Sequence, residues 1–277
     1  MLKVEKIKKY YGTNLAVDNL TFTVDDGEIF GLLGSNGAGK TTTFRIIMGL
    51  LDSNSGSVTL DGKKIDYSVT DKIGFVTEER SLLTKMTVKE QILYYGRLKG
   101  LSENKILERL DKWLEKFKIT DYKNRKIKEL SKGNQQKVQF ISAVINEPKL
   151  LILDEPFTGL DPINVSMLKD AIYELKEKGC SIIFSSHQME HIEQFCEKLV
   201  ILVKGKTVLE GYLKDIKKDY QKKNILIRGD INKEELLKVD GVLEINNIKD
   251  EYEVKIENEK VVERVFKKIS HCNITKF

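Results

Sequence analysis

Apolar and polar positions alternate along the opening stretch, which predicts strands over residues 2–7 and 20–24 around the turn-like Tyr11-Gly12-Thr13-Asn14. A third run, residues 28–33, is apolar on both faces, the pattern of a buried parallel strand. It leads into a Gly-rich loop and a helix over residues 41–50. From 87 to 145 apolar residues recur at three- and four-residue intervals, predicting helices over 91–98, 104–117 and 135–145, with one loop at 118–129. Leu150-Leu151-Ile152-Leu153 reads as a second buried strand, followed by a helix over 162–178, a strand over 181–185 and a short helix over 187–195. Strand–helix–strand alternation of this kind implies a parallel sheet covered by helices. Residues 198–210 read as a hairpin around Lys204-Gly205-Lys206.

At 212–223 the chain becomes Lys- and Asp-rich and reads as a linker. The remainder predicts a strand at 225–228, a helix at 233–238, strands at 242–245 and 252–256 and a helix at 261–268. The expected fold class is α/β: a mostly parallel core sheet, N-terminal antiparallel strands, a helical insertion over about 84–145 and a small α+β C-terminal domain. The domains are placed at 1–211 and 212–277. Internal repeats and low-complexity tracts are lacking.

Composition narrows the class. With 40% hydrophobic and 32% charged residues over 277 positions, the chain falls among globular rather than disordered proteins. Lys and Arg exceed Asp and Glu by 47 to 42, and a net charge of +5 suits an anionic ligand or membrane surface as well as nucleic acid. Cys180, Cys196 and Cys272 are an odd, scattered set, so reduced thiols are expected rather than disulfides or zinc. The N-terminus lacks an apolar leader and the longest apolar runs are five or six residues, so action at a membrane needs a partner. Lys217-Lys218 and Lys222-Lys223 alternate with Asp215 and Asp219, the pattern of a solvated linker. Trp113, spaced helically with Leu110, Leu114 and Phe117, is expected in the core.

The chemistry begins at Gly34-Ser35-Asn36-Gly37-Ala38-Gly39-Lys40-Thr41, which fits the phosphate-loop pattern between a buried strand and a helix. Glycines let backbone N–H groups turn around phosphate oxygens, Lys40 brings a point charge to the β and γ phosphates, and the Thr41 hydroxyl ligates magnesium. The second buried strand ends in Leu153-Asp154-Glu155-Pro156. There Asp154 is suited to hold Mg2+ through water and Glu155 to polarise the water that attacks the γ-phosphate.

Leu130-Ser131-Lys132-Gly133-Asn134-Gln135-Gln136-Lys137 resembles the Leu-Ser-Gly-Gly-Gln signature of ATP-binding cassette (ABC) transporter subunits, and lies about twenty residues before the acidic strand, as in that family. The resemblance covers residues 1 to about 210 and implies a P-loop NTPase fold. It implies ATP and Mg2+ as cofactors, with Val17, Gly34 to Thr42 and a base-stacking Tyr11 around the nucleotide, and Lys40, Glu155 and His187 as catalytic residues. Ser185-Ser186-His187 resembles the family's histidine switch and Gly159-Leu160-Asp161-Pro162 its D-loop. Ser131, Gly133 and Asp161 are then expected to meet the nucleotide of a second subunit, in a homodimer or heterodimer. The partners implied are that second subunit and a membrane-spanning permease, with no nucleic acid, at the cytoplasmic face of the membrane, and export is the expected direction. Residues 213–277 resemble, by arrangement alone, the appendage of some bacterial exporter ATPases.

Three residues depart from the family pattern. Glu78 ends the segment Ile73-Gly74-Phe75-Val76-Thr77-Glu78 where a magnesium-contacting glutamine is usual; its carboxylate is expected to ligate Mg2+ too, but adds negative charge beside the triphosphate. Lys132 and Asn134 replace Gly and Gln in the signature. A non-transport ATPase acting on ribosome or DNA is disfavoured, since the chain has neither a second cassette nor a long coiled coil. A regulator without hydrolysis is disfavoured by the presence of Lys40, Asp154, Glu155 and His187. His187 and His191 stand i, i+4, but no third ligand accompanies them and zinc is not expected. Tyr11 has a second reading as a buried core tyrosine.

Overall fold

The computed structural model describes residues 1–66, 69–219, 223–248 and 250–276. Lys222 of the expected linker lies outside the described residues. Contacts divide the chain into two compact units, Met1–Leu213 and Lys214–Phe277.

In the first unit, strands β1 (Leu2–Tyr11), β2 (Asn14–Val24), β4 (Ser55–Leu60) and β5 (Lys63–Lys64) form an antiparallel sheet in the order β2-β1-β4-β5. Leu2 and Val4 point inward while Lys3 and Glu5 face solvent, as period-two alternation dictates, and an irregularity at Lys6, φ +48, shifts the phase so that Ile7 also turns inward. The second sheet runs β10 (Lys206–Tyr212), β9 (Lys198–Val203), β3 (Ile29–Gly34), β8 (Ser181–Ser185), β7 (Leu150–Asp154), β6 (Ile73–Val76). All its pairings are parallel except β9 with β10. β7 and β8 are buried along their whole length, which is why residues 150–153 and 182–184 read as unbroken apolar runs.

Between the sheets lies α1 (Lys40–Ile47), whose Phe44, Ile46 and Ile47 join Leu2, Phe22, Phe30 and Val200 in one core. Burying a side chain of this size contributes about 2 kcal/mol, so this shared core is what fixes the start of α1 beneath the strand ends.

The helical insertion holds α2 (Val88–Leu98), α3 (Glu103–Lys116) and α4 (Lys132–Val144). Thr87 opens α2 in a capping box, accepting from the Glu90 amide at 3.2 Å while the Glu90 carboxylate takes the Thr87 amide at 2.8 Å. Ile106, Leu110 and Leu114 form the buried stripe of α3. A partly buried hydrogen bond from Gln91 Nε2 to Ser142 Oγ, 2.9 Å, joins α2 to α4. Trp113 is only half-buried, stacked on Phe117 at 5.6 Å, rather than enclosed in the core. The loop expected at 118–129 carries two short 3₁₀ turns, Thr120–Tyr122 and Ile127–Glu129. Helices α5 (Pro162–Glu177) and α6 (Met189–Phe195) complete the unit.

In the second unit, β11 (Lys223–Gly229), β12 (Val242–Ile248), β13 (Glu251–Ile256) and β14 (Ile274–Lys276) form an antiparallel sheet in the order β12-β13-β11-β14. Helices α8 (Lys233–Leu237) and α9 (Lys260–Ile269) pack Leu236, Val265 and Ile269 against Ile227, Val254 and Ile256. Where a linker was expected, residues Leu213–Asp219 form helix α7.

Candidate functional site

Strand β3 delivers the chain at Gly34 into the loop that ends at Gly39, the residue before α1. Gly39 has φ +107, and a Cβ there would fall 2.6 Å from the Ala16 carbonyl oxygen, so this position accepts only glycine. No side chain caps α1, which leaves its first amides for a ligand, with the helix dipole adding to their attraction for an anion. Lys40 folds back over the loop, its Nζ donating to the carbonyls of Gly34 at 2.5 Å and Ser35 at 3.4 Å.

Two strands away in the same sheet, β7 ends at Asp154, which is 8% exposed and accepts from Ser185 Oγ at 2.6 Å. Burial pushes its carboxyl above the usual range; the Ser185 bond and the Lys40 charge oppose this, and Glu78 reinforces it. Ser185 and Lys40 thus compensate the buried carboxylate only in part, the condition that a divalent cation relieves. The Thr41 hydroxyl and the carboxylates of Asp154 and Glu78 face the same cleft, a hard oxygen set suited to Mg2+.

Glu155 follows in the left-handed region, φ +50, a cost of roughly 1–3 kcal/mol for a residue with a side chain. Hydrogen bonds from its amide to the Ser185 carbonyl, 3.2 Å, and Ser185 Oγ, 3.3 Å, hold the turn. The carboxylate reaches His187, with Oε2 3.0 Å from Nδ1.

These groups share one cleft of about 990 Å³, which gathers Tyr11, Gly34, Ser35, Asn36, Gly37, Gly39, Lys40, Thr41, Thr42, Glu78, Asp154, Glu155 and His187. Tyr11 is 46% exposed at its mouth, which excludes a core role. Val17 and Ala38 are instead buried in the core and do not line the cleft. Sequence reasoning missed Asn14, Leu15, Ala16 and Lys204, which do line it. Lys204 was legible only as part of a hairpin turn.

Ser131, Gly133 and Asp161 also lie outside this cleft. Ser131 caps α4, accepting from the Asn134 amide at 3.3 Å. Asp161 caps α5 through the Asn164 amide at 2.9 Å, and its carboxylate also holds the Asn164 side chain. That side chain roofs Gly133, since a Cβ on Gly133 would fall 2.6 Å from Asn164 Nδ2. His187 and His191 go to different partners, His191 standing edge-on to Phe157 with ring centroids 4.9 Å apart.

Among known proteins, the ABC transporter family model matches residues 17–158. The chain is 49% identical to the ABC transporter ATP-binding protein YhaQ of Bacillus subtilis (strain 168), over 96% of its own length and 89% of that protein's. The chain belongs to the ABC transporter ATP-binding family. Residues 211–277 of this ABC protein match the C-terminal domain of DrrA1-3-like ATP-binding proteins. It is 36% identical to the Nod factor export ATP-binding protein I of Cupriavidus metallidurans (strain ATCC 43123 / DSM 2839 / NBRC 102507 / CH34), over 76% of this chain and 71% of the other. The dimeric post-hydrolysis structure of the ATP-binding cassette MJ0796 bound to ADP and Pi is similar, with a TM-score of 0.70 and 25% identity, over 77% of this chain and 99% of that one. The fold is that of an ABC cassette, and the protein is an ATP-hydrolysing subunit of a transporter.

Proposed function

We propose that this subunit binds Mg-ATP in the cleft at the end of β3, closes on a second ATPase subunit around two nucleotides and so drives export through a separate membrane permease. The observation that carries the reading is the convergence of Lys40, Asp154, Glu155 and His187 on one cleft. Lys40, already poised over the loop carbonyls, turns to the β and γ phosphates. Mg2+, held by Thr41 and Asp154 with Glu78 beside them, supplies positive charge to the phosphate oxygens when bound. Glu155 takes the proton of the attacking water, and His187 keeps its carboxylate oriented from 3.0 Å away.

Ser131 and Gly133 stand at the start of α4, away from their own chain's cleft, and suit the γ-phosphate of a second subunit; Asp161 belongs to the same face. The dimeric state of the similar MJ0796 cassette supports this arrangement. For the permease, a groove of about 420 Å³ where the helical insertion meets the rest of the first unit is bordered by Met48, Leu50 and Phe75 on one side and Tyr95 on the other, with Leu50 71% exposed. No helix among the described residues is long and apolar enough to cross a membrane. We place the protein at the cytoplasmic face of the membrane, held there by that permease. The export direction is supported by the similarity to a Nod factor export ATP-binding protein.

Gel filtration of Glu155→Gln tests the sandwich. With ATP and Mg2+ this variant should elute as a dimer, near twice the 31.8 kDa of one chain, and as a monomer without nucleotide. Adding Ser131→Arg abolishes the shift, because a bulky cation blocks the start of α4. A dimer that ignores ATP or survives Ser131→Arg refutes the reading.

A further inference from the structure

We propose that Lys204 is a nucleotide-contacting residue, a second cation of the cleft that engages the phosphate nearest the nucleoside. The proposal rests on the cleft being the ATP site.

Lys204 sits in the turn between β9 and β10 and is exposed at the cleft with Tyr11, Asn14 and Ala16. Three backbone contacts seat that turn on the site. The Gly205 amide donates to the Ala38 carbonyl at 3.0 Å, and the Gly205 carbonyl accepts from the Asp18 amide at 2.8 Å. The third is steric, because a Cβ on Gly205 would lie 2.7 Å from the Ala16 carbonyl oxygen. Lys204 itself is held at φ +49, so the root of its side chain is fixed relative to the phosphate loop.

Sheet order then decides which phosphate it reaches. The loop leaves β3, with β9 on one side and β8 and then β7 on the other. At about 4.8 Å per strand, the hairpin turn stands on the order of 14 Å from the strand that ends at Asp154 and leads into Glu155. Lys40 and the carboxylates therefore occupy the γ-phosphate end, and Lys204 the opposite flank beside Tyr11. Neighbouring lysines are engaged elsewhere: Lys8 and Lys206 pair with Asp18 at 3.4 and 3.8 Å. Lys204 has no carboxylate partner among the described residues, so its charge is available to the ligand.

Competition binding against a fluorescent ADP analogue, with adenosine, AMP, ADP and ATP as competitors, tests the assignment on wild type, Lys204→Ala and Lys204→Arg. A single exposed charge contact is worth a factor of about five. Lys204→Ala should therefore weaken AMP, ADP and ATP about equally, by about five-fold, leave adenosine unchanged, and lose most of that effect at high salt. Lys204→Arg should restore all three to within about two-fold. Unchanged binding of AMP, ADP and ATP by Lys204→Ala overturns the inference, as does an equal loss for adenosine, which marks a merely structural turn. A deficit confined to ATP also overturns it, since that places the charge at the γ end. Failure of the wild-type chain to bind ATP refutes the cleft assignment itself, and this inference with it.

Discussion

Replacing Glu155 with Gln removes a charge and a proton acceptor while leaving the turn intact. The amide keeps its bonds to Ser185 at 3.2 and 3.3 Å, and the Gln carbonyl oxygen still accepts from His187 at the 3.0 Å position. The φ of +50 is equally tolerable to either side chain. What disappears is general-base assistance, worth 10²–10⁴ in rate, or about 3–5 kcal/mol of barrier. Affinity moves the other way: one negative charge fewer at roughly 6 Å from a phosphate oxygen in a water-like medium relieves about 0.7 kcal/mol, or about three-fold tighter ATP. Single-turnover phosphate release from stoichiometric radiolabelled ATP measures the first effect, and equilibrium binding of unhydrolysed ATP the second. Turnover within ten-fold of wild type refutes the role of Glu155 as base. A parallel fall in ATP affinity shows instead that the substitution disturbed the cleft.

Lys40→Ala removes the cation that spans Gly34 and Ser35 and should weaken ATP by about 10–100-fold in titration calorimetry, with turnover at background. Gly39→Ala forces a Cβ to within 2.6 Å of the Ala16 carbonyl; a loss of about 1–3 kcal/mol in urea unfolding, together with abolished nucleotide binding, is expected. Asp61 is held down to about 2, from the ordinary 3.8, chiefly by Lys149 at 2.5 Å and then by the N-terminal amine. A depressed carboxyl stabilises the fold above its unfolded pKa and loses that contribution as pH falls through the folded one. Asp61→Asn should thus cost at most about 1 kcal/mol at pH 7 after solvent screening, with the gap between variant and wild type closing between pH 4 and pH 2 in denaturation curves.

Buried strands were legible because burial on both faces leaves an unbroken apolar run, as in Leu150-Leu151-Ile152-Leu153 and β8. Strand β4 escaped notice because Ser55-Gly56-Ser57 carries little apolar signal, and β6 because it is only four residues long. Their pairing with β1 and β7 is a tertiary effect that overrides local propensity. Helix α7 was masked by its Lys and Asp composition, which suits a solvated helix as well as a linker. In the cleft, the loop residues and acids announce themselves by type and spacing, whereas Asn14, Leu15, Ala16 and Lys204 arrive through backbone pairing of β2 and the β9–β10 hairpin. Val17 shows the converse: the family resemblance implies a ligand contact there, but the inward phase of β2 buries it.

The roof over Gly133 has a consequence for how two sites share a cycle. Asn164, held by Asp161, lies close over Gly133 at the start of α4, and Gln136 on the same helix donates to the carbonyl of Pro156 at 3.2 Å, one residue beyond Glu155. Helix α4 is therefore in direct contact with the acidic turn of its own subunit. In the proposed sandwich the start of that helix would meet the partner's ATP while Gln136 holds the turn beside its own, so one rigid element would border both nucleotides.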